Sequence, residues 1–214
     1  EDCLYDSIQP VFSRNNQDVT AAVSSEFQFL DPSIPLHDKM NVRIKPNAPI
    51  AEDQKGKIII RRVDKKGTSY RNAEWQKGWL AAAFNEFGSF QAVVDNVPPT
   101  VNELGLGDTV DLSPSKSIIF YPKDNSAIKS FRAELDGRWL RFTNDKGSAW
   151  IYNFDERCPF GVHQLKITIE DIAGNVTTKQ WWFKRYAYTL PKAQKKPGKK
   201  RTTNGKKKVG TKKK

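Results

Sequence analysis

Cysteine and histidine are scarce in this chain of 214 residues, which narrows the chemistry that it can perform. It has two cysteines, Cys3 and Cys158, and two histidines, His37 and His163. Two cysteines are too few for a disulfide framework, so we expect two unpaired thiols, with a Cys3–Cys158 disulfide as the alternative. A zinc hydrolase usually needs several ligands at close spacing, and neither histidine stands in an HExxH motif. We interpret both histidines as hydrogen-bonded structural residues.

Other catalytic motifs are also missing. The sequence contains no GxSxG, GxGxxG or Walker-type loop, and Gly105–Asp108 lacks the lysine and the helix that a phosphate-binding loop needs. None of the carboxylate pairs is singled out by an apolar environment, as a catalytic pair usually is. The sequence therefore predicts a chain that is not an enzyme and that holds no cofactor.

Metal-binding patterns are weak. Asp171–Asn175, with the sequence DIAGN, contains side chains that bind calcium in other proteins, but it is much shorter than an EF-hand loop and lacks its ligand array. Aspartate, asparagine and glycine also satisfy the backbone in ordinary turns. We favour a structural turn here and predict no metal site.

Long apolar runs are absent too. No stretch of about 18 apolar residues exists, so the sequence predicts no transmembrane segment. No charged-then-apolar leader is visible at Glu1, which suggests a mature or excised segment and leaves export open.

Acidic residues are missing from the C-terminal end. Residues 184–214 contain 14 of the 36 lysines and arginines and no aspartate or glutamate. The remaining 22 basic and 24 acidic residues nearly cancel, so the net charge of +12 belongs to this tail. Residues 187–214 bury too little apolar surface to offset a backbone ordering cost of about 1–2 kcal/mol per residue, and are predicted to be disordered.

The tail predicts contact with a polyanion, but its charge alone does not choose the partner. Nucleic acid, lipid head groups and anionic envelope polymers would all attract it. The rest of the chain offers no recognition helix or zinc finger, so we expect no specific nucleic-acid binding. The cations that we expect to make the contact are Lys199, Lys200, Arg201, Lys206, Lys207 and Lys208.

Short two-faced strands are what the sequence does contain. In Val162–Ile169 apolar and polar residues alternate, which is the pattern of a strand buried on one side. Asp136-Gly137 lies between two such runs and predicts a hairpin turn. Seven strands, the number of a small immunoglobulin-type sandwich, are predicted at Thr109–Leu112, Ser117–Tyr121, Ser130–Leu135, Arg138–Phe142, Ala149–Phe154, Val162–Glu170 and Val176–Phe183.

The first half of the chain is also rich in predicted strands. Asp64–Gly67 predicts a hairpin turn, and Ala81–Ala83 is a place where a helix competes with the preferred strand. Strands are predicted at Asp18–Val23, Glu26–Leu30, Met40–Lys45, Lys57–Val63, Ser69–Trp75 and Gly78–Phe84.

The consecutive prolines Pro98-Pro99 mark a domain boundary, because they cannot donate to a sheet and hold Val97 extended. We predict an all-β chain of two tandem immunoglobulin-like β-sandwich domains, residues 1–97 and 98–186, followed by a disordered basic tail at 187–214.

Tryptophans are the candidate ligand contacts. Neighbours on a strand point to opposite faces, so Trp181 and Trp182 cannot both lie in the core. An exposed tryptophan can stack on a sugar ring or anchor a protein, and it can equally pack on another domain. The candidate ligand-binding residues are Trp139, Trp181 and Trp182.

Several segments carry a family resemblance. They are VRIKP at 42–46, FGSFQAVVDNVPPTV at 87–101, FRAELDGRWL at 131–140, FDERCPFGVHQLKITIEDIAGN at 154–175, and the lysine-rich C-terminus. Together they resemble the C-terminal region of certain lysostaphin-type peptidoglycan metallopeptidases from Gram-negative bacteria. In that family a zinc endopeptidase domain precedes immunoglobulin-like domains.

The resemblance implies an accessory role in an exported protein, located in the periplasm or at the cell surface. The zinc ligands of such peptidases, in HxxxD and HxH motifs, have no counterpart here: Asn41 stands four residues after His37, and Ile167 four residues after His163. The implied function is therefore to position or regulate a peptidoglycan-cleaving domain of the same parent chain, with peptidoglycan or another anionic envelope polymer as partner. A carbohydrate-binding or adhesion module acting through exposed aromatics is the alternative.

Overall fold

The computed structural model describes residues 12–15, 21–144 and 147–189, and these form two β-sandwiches. The first sandwich consists of β1 to β8 and a 3-10 helix at Glu52–Lys57. Its strands are β1 Phe12–Asn15, β2 Glu26–Phe29, β3 Met40–Ile44, β4 Ile58–Asp64, β5 Gly67–Asn72, β6 Glu74–Gln76, β7 Trp79–Phe84 and β8 Gly88–Val94.

The first sandwich packs a sheet of five strands, in the order β1-β2-β8-β4-β5, against a sheet of three, β3-β7-β6. Inward-facing side chains such as Ile60, Leu80 and Phe90 fill the space between them. Strand β4 is buried on both faces, because Ile59 points away from this core and is still only 1% exposed. A second apolar contact must therefore cover its outer face.

The second sandwich consists of β9 to β15. Its five-stranded sheet has the order β12-β11-β14-β15-β9, in which β9 and β15 run parallel, and its second sheet pairs β10 with β13. Its core includes Phe120, Leu165 and Phe183. The strands are β9 Thr109–Asp111, β10 Ser117–Phe120, β11 Ile128–Leu135, β12 Arg138–Leu140, β13 Trp150–Asn153, β14 Gly161–Asp171 and β15 Val176–Arg185.

The prediction of an all-β sandwich fold is confirmed. All seven strands predicted for the second sandwich are present, each within two residues of its predicted ends. Ala81–Ala83 lies in β7, so the strand was the correct choice over the helix. The domain limits at residues 97 and 186 stay predictions, and the tail beyond residue 189 lies outside the described residues.

Two strand predictions for the first sandwich were wrong. Ser69–Trp75 is not one strand, because the chain leaves one sheet at Asn72 and enters the other at Glu74. Between them Ala73 is buried, and its N–H donates to the carbonyl of Ile58 at 3.0 Å. In the described part of Asp18–Val23 there is only an isolated bridge, and residues 18–20 lie outside the described residues. Strand β1 and the 3-10 helix were not predicted from the sequence.

Both predicted hairpin turns are confirmed. Strands β4 and β5 pair as far as Asp64 opposite Gly67. Between β11 and β12, Asp136 and Gly137 have φ values of 50° and 77°, so both central residues are left-handed, as a type I′ turn requires. A glycine at the second position avoids the steric cost that a Cβ would bring there.

The Gly137→Ala substitution is expected to destabilise the second sandwich by about 1 kcal/mol, because alanine rarely adopts a φ of 77°. No atom lies within 4 Å of the added Cβ, so the effect is purely conformational. Urea unfolding followed by tryptophan fluorescence measures it. Gly56→Ala is the matched control, since Gly56 has equal space and no positive φ; a loss of the same size in both variants would contradict the explanation.

Candidate functional site

Two tryptophans lie exposed on one outer face of the second sandwich. Trp139 is 60% exposed and Trp182 is 47% exposed. Trp139 is opposite Glu134, Glu134 is opposite Lys166, and Lys166 is opposite Gln180, two residues before Trp182. Residues two apart on a strand share a face, so both indoles stand on this surface, which we call the tryptophan face. Three strand spacings separate them across the sheet, about 14 Å.

Trp181 points to the opposite side of the same strand, as its position next to Trp182 predicts. Its ring stacks on Phe120 with centroids 5.3 Å apart, and its Nε1 donates to a carboxylate oxygen of Glu103 at 2.8 Å. Hydrogen bonds from Lys179 and Trp181 lower the pKa of Glu103 and keep it ionised. Trp181 is thus engaged by neighbours of its own sandwich, whereas Trp139 and Trp182 present free ring surface.

A shallow cavity of about 410 Å³ adjoins Trp139. Arg138 and Arg157 are among the residues that line it together with Trp139, so it brings two arginines and a tryptophan to one place. Arg157 also pairs with Asp155 at 3.3 Å. An aromatic ring suits a sugar face and a guanidinium suits a carboxylate, so this cavity has the chemistry to contact an acidic glycan or glycopeptide.

His163 is another of the residues that line this cavity. It is a structural residue, as predicted. It is buried, and its Nδ1 is 2.7 Å from a carboxylate oxygen of Asp136 while its Nε2 is 2.9 Å from the carbonyl oxygen of Pro159. The ring therefore ties the β11–β12 turn to the segment before β14. His37 is exposed in a loop of the first sandwich, so the structure places the two histidines in different sandwiches.

Burial raises the pKa of Asp136, but the hydrogen bonds from His163 and from the Gln164 N–H, with the charges of His163 and Arg138, outweigh it and leave the pKa below the usual 3.8. A carboxyl group whose pKa is lower in the folded chain stabilises that chain above its unfolded pKa. The stabilisation is lost as the pH falls through the folded value.

We therefore expect Asp136→Asn to destabilise the protein by about 1 kcal/mol at pH 7, and this deficit to shrink as the pH falls below the usual carboxyl pKa of 3.8. Urea unfolding at pH 7, 5 and 3 measures the difference. Asp108→Asn, at an exposed position in the same sandwich, is the control and should change little. An equal deficit for Asp136→Asn at every pH would mean that charge is not the cause.

A junction joins the two sandwiches. Ile59 and Val93 of the first sandwich form an apolar cluster with Ala173 of the second, and this contact covers the outer face of β4. The side-chain amide of Asn175 donates to the carbonyl oxygen of Asp95 at 2.9 Å, across the same boundary. These contacts give the two sandwiches a shared, partly apolar interface.

The segment Asp171–Asn175 is a turn, as predicted. The Asn175 N–H donates to one carboxylate oxygen of Asp171 and its side-chain amide donates to the other, both at 2.8 Å. Gly174 has a φ of 76°. The Lys57 ammonium of the first sandwich donates to the Gly174 carbonyl at 2.8 Å, so the turn also contacts the junction. Sequence reasoning missed this role, because Lys57 and Asn175 are far apart in the chain.

An apolar cavity of about 520 Å³ opens beside β3 in the first sandwich. Phe27, Met40 and Trp79 are among the side chains that line it, and the guanidinium of Arg43 lies 5.6 Å from the centre of the Trp79 ring. Its lining suits an apolar group and offers little to orient a glycan.

The structure describes only some of the other residues that the sequence singled out. Cys158 is a buried free thiol, as expected, and burial raises its pKa to about 11, which makes it a poor nucleophile. Cys3 lies outside the described residues, as do the tail residues Lys199, Lys200, Arg201, Lys206, Lys207 and Lys208. Their predicted contact with a polyanion stays a prediction.

Comparison with known proteins gives a coarse class. A family model described as a Zu5-like domain matches residues 1–95. A chain from structures of Clostridium thermocellum CbhA fibronectin(III)-like modules is 12% identical, covers 73% of this chain and 90% of its own length, and has a TM-score of 0.34, too low to carry an argument. No curated protein matches the chain.

The observed sandwiches make this an all-β chain, and this fold, with the Zu5-like match over residues 1–95, is compatible with an accessory or binding module. The family model that matches residues 1–95 is not described as a catalytic domain. Within the residues that the structure describes, no helix is long and apolar enough to span a membrane.

Proposed function

We propose that this chain is a non-catalytic accessory unit that positions, or regulates access to, a peptidoglycan-cleaving metallopeptidase domain of the same parent chain in the cell envelope. Its segments resemble the part of lysostaphin-type enzymes that follows the catalytic domain. The location proposed is the periplasm or the cell surface.

The junction between the sandwiches carries this proposal. A positioning unit has to hold a defined angle, and here an apolar cluster and a buried side-chain hydrogen bond cross the boundary next to Pro98-Pro99. Proline pairs stiffen a linker, and buried contacts across a linker restrict its motion further. Two sandwiches joined in this way would act as one spacer rather than as beads on a string.

The tail supplies attraction to the envelope in this proposal. With 12 lysines and arginines and no acidic residue, residues 187–214 would bind an anionic polymer weakly and in a salt-dependent manner. The near-neutral remainder of the chain would contribute little to that attraction. The tail would thus keep the unit near its substrate layer without fixing its orientation.

The tryptophan face favours a second function, binding of a glycan such as a peptidoglycan strand. Trp139 and Trp182 stand on one surface with free rings, and Arg138 and Arg157 flank the cavity beside Trp139. The carboxylates of peptidoglycan stem peptides would suit these guanidinium groups. In this function the aromatic rings set the specificity and the tail only adds affinity.

Sedimentation with purified peptidoglycan at 50 and 500 mM NaCl tests the tethering role of the tail and the glycan-binding function. We expect the chain to bind at low salt and to lose at least roughly 100-fold in affinity at high salt, because several cations would each release a counterion. Replacing Lys199, Lys200, Arg201, Lys206, Lys207 and Lys208 by glutamine should remove most of the low-salt binding. Failure of the unsubstituted chain to bind at low salt would overturn both the tethering role of the tail and the glycan-binding function.

Tryptophan substitutions separate the two functions. If the tryptophan face binds glycan, the double substitution Trp139→Ala and Trp182→Ala should weaken the binding that remains at high salt. The reason is that the stacking of a sugar on an aromatic ring is insensitive to salt. Trp75→Ala in the first sandwich, where Trp75 is 38% exposed, is the matched control. Unchanged binding in the double variant excludes glycan recognition by this face and leaves the positioning role.

A further inference from the structure

Three aspartates from separate segments meet at the junction. Asp95 follows β8, Asp124 lies in the loop between β10 and β11, and Asp171 ends β14. Each offers one carboxylate oxygen, and these oxygens lie within 4.8 Å of one another. Asp95 is 1% exposed and Asp171 is 0% exposed. Ionised carboxylates are rarely buried this closely, because each disfavours the charge of the others.

Two oxygens of this cluster are buried and have no hydrogen-bond partner, Oδ2 of Asp95 and Oδ1 of Asp124. Buried polar atoms are nearly always satisfied, so an unpartnered oxygen in a well-packed place needs an explanation. Asp95 is buried almost completely, and its other oxygen accepts from the Val97 N–H and the Asn125 amide, each at 3.1 Å. The carboxylate is therefore fixed by its protein partners with one oxygen left over.

The same division holds for Asp124, but not for Asp171, whose two carboxylate oxygens both accept a hydrogen bond. Oδ2 of Asp124 accepts from the N–H and the hydroxyl of Ser126, at 2.8 and 2.5 Å, which leaves Oδ1 free. Asp171 accepts from Asn175 alone. These hydrogen bonds hold each side chain in one orientation, as the partners of metal ligands do.

The cluster has no paired side-chain cation within the part of the chain that the structure describes. Among the residues described, none of the three aspartates forms an ion pair with a lysine, arginine or histidine. Lys57 is the cation that approaches the junction, and its ammonium donates to the Gly174 carbonyl instead. Three aspartates without a paired cation form a centre that attracts a positive ion from solution.

We propose that Asp95, Asp124 and Asp171 form a calcium site that links the two sandwiches. Calcium prefers oxygen ligands at about 2.3–2.6 Å, so two of its ligands are at most about 5 Å apart, which the observed spacing allows. Carboxylates are its usual charged ligands, and water or backbone carbonyls complete its coordination of 6–8 oxygens. The inference does not depend on the proposed function.

A calcium ion at this position acts as a cross-link. Asp95 belongs to the end of the first sandwich, whereas Asp124 lies in a loop of the second sandwich and Asp171 at the end of its strand β14. Binding all three holds the linker before Pro98-Pro99 against the second sandwich, in addition to the bond from Asn175. The angle between the sandwiches is then set by calcium, and without the ion the repulsion between the carboxylates loosens it.

Thermal unfolding of the full chain in 10 mM CaCl₂ and in EGTA, at equal ionic strength, tests the site. Calcium sites of extracellular modules have Kd values of about 10⁻⁴–10⁻³ M, so we expect calcium to raise Tm by about 3–8 °C. Magnesium at 10 mM should give less than half of this rise, because it binds reluctantly at sites that do not offer near-octahedral geometry.

The Asp95→Asn and Asp124→Asn variants distinguish a metal ligand from a structural residue. Each should lose the calcium-dependent rise while keeping, in EGTA, a Tm equal to or above that of the unsubstituted chain, because one repelling charge is gone. A purely structural aspartate would instead lower Tm by the same amount in both conditions. Asp124 is less buried than Asp95, so it gives an independent variant should Asp95→Asn fold poorly.

Asp108→Asn, at an exposed acidic position, is the matched control and should keep the full rise. Three results would each overturn the proposal: an equal Tm in calcium and EGTA, a full rise in both ligand variants, or an equal rise with magnesium. The first two remove the site, and the third removes its assignment to calcium.

Discussion

The side-chain amide of Asn175 is the contact on which the arrangement of this molecule depends. It donates both to the carboxylate of Asp171, within the turn, and to the backbone carbonyl of Asp95 in the other sandwich. Asn175 is almost fully buried, so neither acceptor can exchange it for water without loss. The same group therefore fixes both the conformation of the turn and the orientation of the two sandwiches. A change in the turn would alter that orientation, and a change in the orientation would alter the turn.

The strands of the second sandwich could be predicted from sequence, although their order in the sheets could not, and the reason is physical. Leu165, Ile167 and Ile169 alternate with polar residues over a long strand that is buried on one side, and Asp136-Gly137 supplies the left-handed residues that its turn needs. In the first sandwich the chain passes from one sheet to the other at Ala73, between two strands with mixed exposure. A small residue between polar ones carries no signal of such a crossing.

The candidate sites divide in the same way. The opposite orientation of Trp181 and Trp182 follows from strand geometry alone, but the common face of Trp139 and Trp182 depends on the register of four strands, which no local pattern contains. The aspartate cluster was out of reach for a similar reason. Only Asp171 lies in a recognisable motif, and the loop that follows it is too short to suggest a metal site. The other two aspartates, Asp95 and Asp124, belong to segments that are distant in the sequence.

One sequence feature did point to the junction, and it is the run Ile58-Ile59-Ile60. Three consecutive apolar residues on a strand cannot all face one core. The middle one points to the opposite face of the sheet, which indicates a second apolar contact on that face. That neighbour is Ala173, inside the turn that Asp171 begins, and Val93 of the same cluster lies two residues before Asp95. The apolar contact and the carboxylates are thus adjacent in space because they are adjacent in the chain. By excluding water, the apolar contact strengthens every electrostatic interaction beside it, so the charge on the aspartates acts directly on the packing of one sandwich against the other.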